Sequence, residues 1–114
     1  MEPAKAKETT QAVLGCLIAQ DYSGLLQLAP RSRLSVEKIK NAVADYPYRP
    51  IFPAVPIETL MDIVEIKGAN PKSWSVNLPL WTKEEGRSDL TLQMHLTDSK
   101  GESYAVEIDD LHVL

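Results

Sequence analysis

Apolar residues in the first half of the chain fall at helical spacing. Val13, Leu14, Leu17 and Ile18 share one helical face, and Thr9 or Thr10 can cap the first turn. This predicts a helix over about residues 9–20, with residues 1–8 as a flexible N-terminus ahead of it. Asp21-Tyr22-Ser23-Gly24 carries turn chemistry, and Leu25, Leu26 and Leu28 follow as a short apolar stretch closed by Pro30, either a hinge or a second short helix. Another main helix is expected from about 36 to 45. Ser35 is its N-cap, Leu34 and Ile39 form a hydrophobic staple, Val36, Ile39, Val43 and Tyr46 continue one stripe, and Pro47 ends it.

Prolines then recur every third residue, at 47, 50, 53 and 56. Three residues per turn is the polyproline II period, so the segment reads as a stiff strap around the domain, with Ile51 and Phe52 requiring burial. Beyond it the pattern changes from the helical period to period 2. The segment 61–67, then Trp74, Val76, Leu78 and Leu80, then Leu90, Leu92, Met94 and Leu96 read as half-buried antiparallel strands. Residues 83–87 and 98–102 supply the hairpin loops. In the last strand the apolar face changes parity, since Tyr104, Val106 and Ile108 are even and Leu111 and Val113 odd. One extra residue at Asp109-Asp110, a β-bulge, keeps both sets inward, bends the strand and leaves the two carboxylates at the surface.

Helices followed by strands specify an α+β domain: two or three N-terminal helices packed on one face of a curled four-stranded antiparallel β-meander. At 114 residues the chain suffices for one such domain, residues 9–114. The runs Trp74-Ser75-Val76 to Trp81-Thr82, Glu84-Glu85-Gly86-Arg87-Ser88-Asp89-Leu90-Thr91-Leu92 and Tyr104-Ala105-Val106-Glu107-Ile108-Asp109-Asp110-Leu111 resemble a small uncharacterised bacterial family. In layout, residues 9–114 resemble the NTF2-like or cystatin-like cone folds. The resemblance implies a fold and no agreed activity. NTF2-like chains commonly place a strand between the helices; residues 21–34 show no convincing strand, so the cystatin-like order is equally compatible.

Charge narrows the partners. The net charge is −4, from 12 Lys and Arg against 16 Asp and Glu, which argues against nucleic acid as a direct ligand. Residues 1–60 carry seven basic and six acidic side chains, whereas residues 61–114 carry five and ten. Glu102, Glu107, Asp109 and Asp110 lie in the last fourteen residues with no Lys or Arg, a field that attracts a basic partner or, in the plainer reading, a solvated face. The single Cys16 forms no intramolecular disulfide, and Met1 to Glu8 lacks the apolar run of a signal peptide. The expectation is a cytoplasmic protein with no membrane partner; a homodimer is compatible.

No motif demands a particular chemistry. His95 and His112 alternate away from the core positions, and two histidines and one cysteine at these separations give no metal-ligand spacing. Cys16 abuts Leu17 and Ile18 as a small apolar filler. The acids around Gly86 lack calcium-loop spacing, Arg87 with Asp89 reads as a tie across the hairpin, and single glycines make no phosphate cradle. No cofactor is implied. The cone-fold resemblance implies a conceivable catalytic set of Asp110 with Tyr104 or His112, against which stands the use of acids at an edge bulge to prevent edge-to-edge pairing. Trp81 has opposite parity to Trp74, so it falls on the outer face as a partner anchor unless a helix or the strap covers it.

The resulting expectation is a small non-enzymatic protein-binding domain, in its sharpest form an immunity-type protein that neutralises a basic toxin through an acidic sheet face. Its contact residues would be Trp81, Glu107, Asp109, Asp110 and His112. The alternative is an NTF2-like cone that binds or transforms a small molecule, for which a cavity lined by mixed polar groups is the discriminating feature.

Overall fold

A computed structural model describes residues 1–114 as three helices followed by a curled antiparallel sheet. Helix α1 spans Pro3–Ala19, α2 Tyr22–Leu28 and α3 Val36–Asp45. Residues 3–8 are therefore helical, not the flexible extension expected from sequence. Pro3 stands in the first turn, where its missing N–H costs nothing, and Ala, Lys and Glu favour helix. Tertiary contacts fix this end. Lys5 Nζ lies 4.6 Å from the Tyr104 ring centroid and donates to the Ser99 carbonyl at 2.6 Å. The Glu2 N–H donates to Tyr104 Oη at 2.9 Å. One turn on, Thr9 Oγ1 accepts from the Tyr104 N–H at 2.9 Å.

The shorter helices start where their caps place them. Asp21 accepts from the Gly24 N–H at 2.9 Å, and Ser35 Oγ accepts from the Lys38 N–H at 3.2 Å, with Ile39 buried beside half-buried Leu34. No strand separates the helices.

Strands β1 (Pro50–Ile51), β2 (Asp62–Glu65), β3 (Ser73–Thr82), β4 (Gly86–Thr97) and β5 (Ala105–Val113) form one sheet. The last four make the expected meander, and the fifth strand comes from the proline strap. There Pro50 and Ile51 pair with Thr82 and Trp81, while β2 pairs with the other end of the same β3 edge. Pairing orients the strap differently from a wrapping helix. Phe52 is 52% exposed, its ring tip 3.7 Å from where a Cβ on Gly15 would stand, and Ile51 is 38% exposed, so neither is buried as expected.

The core follows the period-2 pattern. Val76, Leu92, Met94, Leu96 and Ile108 have no exposed surface and meet Val13, Leu17, Ile39 and Val43 of the helices. Trp74 and Tyr104 pack edge to face at 5.3 Å. The parity change in β5 is resolved as expected: Gln93 pairs with Asp110 and Met94 with Ile108, leaving Asp109 as the extra residue. Leu111 is thereby buried. Val113, expected inward, is 58% exposed on the edge strand, although Leu90 directly across from it is buried.

A second irregularity lies in β4. Pro79 pairs with Thr91 and Trp81 with Arg87, so Leu80 alone faces residues 88–90. Pro79 has no N–H to give the ladder, which is why a proline this deep in a sheet accompanies a bulge. Buried Ser88 supplies the missing bonds, donating to the Leu80 carbonyl at 2.8 Å and accepting from the Leu90 N–H at 3.2 Å.

Truncating Leu92 to Ala is expected to cost about 2–5 kcal/mol as a cavity mutation, and Val113→Ala less than about 0.5 kcal/mol as a surface change. Urea unfolding of the two variants measures the contrast, and equal losses would show that the faces are misassigned.

Candidate functional site

All three helices lie on one side of the sheet, so the residues alternating with the core stand on a face that no helix covers. The face is polar at its centre, with Asn77 on β3, Thr91, Gln93 and His95 on β4, and Glu107, Asp109, Asp110 and His112 on β5. Asp62 of β2 extends it across from Asn77. A surface depression of about 330 Å³ opens here, lined by Asp62, Asn77, Gln93, Arg87 and His112 among others.

The bulge sets the side chains around it. Asp109 was expected at the surface, but its side chain is only 10% exposed. It turns toward β4, where its Oδ2 accepts from His95 Nδ1. Asp109 Oδ1 is buried with no hydrogen-bond donor. The nearest cation is Arg33 Nε at 3.8 Å, on a side chain 75% exposed.

The neighbouring acid is placed differently. Asp110 is 48% exposed, its Oδ1 accepts from the Leu111 N–H at 2.9 Å, and its Oδ2 lies 3.2 Å from His112 Nδ1. The extra residue thus seats two carboxylates side by side, each against its own imidazole.

The α2–α3 connection holds this arrangement from the sheet edge. The Arg33 and Leu34 N–H groups donate to the Ile108 carbonyl at 3.0 and 3.2 Å. The Ile108 N–H donates to Ser32 Oγ at 2.9 Å. These bonds satisfy part of the open edge of β5 just before the bulge.

Of the residues singled out from sequence, Glu107, Asp109, Asp110 and His112 share this face, and Trp81 stands at its far end. Trp81 is half-buried, paired with Ile51 and lying over Gly86, whose φ of +73° favours glycine. The strap and the hairpin turn therefore occupy part of the ring expected as an anchor. Tyr104 points into the core and is separated from Asp110, which removes it from the conceivable catalytic set. Arg87 and Asp89 form no ion pair. Instead Glu85 ties the hairpin, accepting from Thr82 Oγ1 at 3.1 Å and from Tyr46 Oη at 2.8 Å. Cys16 packs against the core, and burial, reinforced by the charge of Asp21, pushes its thiol above the ordinary value.

The partnership of Asp109 with His95 and with Arg33 was not legible in the sequence. Parity placed His95 on the right face, but the pairing register that brings positions 14 residues apart together comes only with the bulge. Ser75 lies directly across from His95. Strand β4 is paired on both sides at His95, so its backbone N–H groups are in the ladder and present no oxyanion-binding pair.

The chain belongs to the family described as a domain of unknown function, DUF7668, whose profile matches residues 14–114. No curated protein and no solved structure matches it. The family match spans the C-terminal third of α1, all later helices and every strand of the open face. No helix is long and apolar enough to cross a membrane.

Asp109→Ala is expected to destabilise the fold by about 1–3 kcal/mol, through loss of a buried charge-assisted bond, and Asp110→Ala by less than about 1 kcal/mol at its exposed position. Thermal unfolding of both variants decides this. For Cys16, reaction with a disulfide reagent should be slower than that of a free thiol at neutral pH. Its rate should rise at a pH above the ordinary thiol range, because the thiolate is the nucleophile.

Proposed function

We propose that the protein is a non-enzymatic binding domain that receives a basic protein partner on the open face of its sheet, acting in the manner of an immunity protein against a basic toxin. The observation that carries this reading is the line of acids on β5. Glu107, Asp109 and Asp110 stand on a face free of helices, fixed to the last strand by the bulge. Carboxylates held in place steer a cationic partner during encounter and fix its docking register without having to be ordered first.

Two further features support it. Asp109 Oδ1 lacks a hydrogen-bond donor, its nearest cation being the largely exposed Arg33 at 3.8 Å, so a partner's lysine or arginine has an unmet acceptor to fill. The space between helices and sheet is filled by core side chains with essentially no exposure, which favours surface binding over the chamber that an NTF2-like cone would use. A free, protected Cys16 accords with a reducing cytoplasm.

The test is a titration of the chain against the basic proteins encoded beside its own gene, repeated across a salt series. Affinity should fall steeply with salt, and Glu107→Lys with Asp110→Lys should weaken binding about tenfold or more at low salt while leaving the unfolding midpoint near that of the parent. Salt-independent binding, or binding unaffected by the reversals, would remove the acidic face from the account.

A further inference from the structure

We propose that the hollow where the three helices meet the start of the proline segment binds a phosphate monoester carried on a planar ring, the chemistry of a nucleoside monophosphate. The hollow lies on the helical side of the molecule and shares no residue with the sheet face. Its volume is about 380 Å³, and Gln20, Tyr22, Lys40, Tyr46, Tyr48 and Arg49 line it. Small-molecule sites occupy roughly 300–1,000 Å³, so the space suits one compact ligand.

Charge points to a dianion. Lys40 and Arg49 are exposed, and neither takes part in any of the ion pairs of the structure, in a chain whose net charge is −4. No acid lines the hollow. Of the acids near it, Asp21 caps α2 through the Gly24 N–H, the Glu85 carboxylate receives Tyr46 Oη at 2.8 and 2.9 Å, and Asp45, between two lining residues, is exposed and does not itself line the hollow. Two unneutralised cations of different shape match a phosphate monoester, because the planar guanidinium pairs two oxygens while the ammonium serves the third as a point charge.

The aromatic lining points to a ring. Tyr46 and Tyr48 stand edge to face, with centroids 6.4 Å apart and planes at 73°. The bond to Glu85 fixes Tyr46, and Tyr48 is 39% exposed, so a ring face is offered to a planar ligand. Neither Lys40 nor Arg49 contributes to the core, so both can be substituted without unfolding the domain.

The experiment is calorimetric titration of the full chain with AMP, adenosine and inorganic phosphate, together with amide chemical-shift mapping of the AMP complex. AMP should bind and shift signals of residues 20–22 and 40–49, with adenosine and phosphate each about tenfold weaker or worse. Lys40→Gln combined with Arg49→Gln should weaken AMP about tenfold or more, and Tyr48→Ala should weaken AMP while leaving the response to phosphate unchanged. Glu107→Lys should leave AMP binding intact, which separates this site from the sheet face. Absence of AMP binding at millimolar concentration, shifts confined to other residues, full affinity in the double variant, or phosphate binding as tightly as AMP would each overturn the proposal.

Discussion

Strand β5 must bury Tyr104, Val106 and Ile108 at one end of its apolar run and Leu111 at the other, and the odd spacing between the two groups makes a regular strand unable to do so. Leaving either set in water would expose large apolar side chains at about 1.5–3 kcal/mol each. The single extra residue Asp109 removes the conflict. Everything distinctive about the open face follows from it: two adjacent carboxylates near one surface, one drawn against His95 and covered, the other left beside His112 and solvent.

That irregularity persists because other elements hold it. The α2–α3 connection bonds both backbone groups of Ile108 immediately before the extra residue, and Arg33 from the same connection approaches the Asp109 carboxylate. On the far side of the sheet, Ser88 performs a comparable service in β4, bridging a ladder that Pro79 interrupts. The sheet therefore bends at two defined places, and in both a hydroxyl takes over backbone bonds that the irregular strand loses. Its two edges are likewise shortened, one by the pieces β1 and β2, the other by residues 32–34, which limits edge-to-edge association.

Much of this was legible in the pattern of residues. Helical and strand periods located every main element, the Ser35 cap and Leu34–Ile39 staple set the start of α3, and the parity switch located the bulge. What escaped depends on contacts between distant positions. Residues 3–8 gave no apolar stripe, and they are helical because Lys5 and Glu2 find Tyr104, about a hundred positions away. Proline periodicity indicated a strap but not that Pro50 and Ile51 would pair with β3 and leave Phe52 half in solvent. Bulge parity was readable, whereas the burial of Asp109 was not, since His95 and Arg33 enter its surroundings from another strand and from a helix connection.

The central claim is that Asp109 is the unpaired residue that brings two carboxylates onto one face. Cross-strand nuclear Overhauser contacts between α-protons and amides of β4 and β5 measure it directly in solution. The account predicts contacts linking Gln93 with Asp110 and Met94 with Ile108, with Asp109 lacking a partner of its own on β4. Contacts that pair Met94 with Asp109 and continue in unbroken register to Val113 would contradict it.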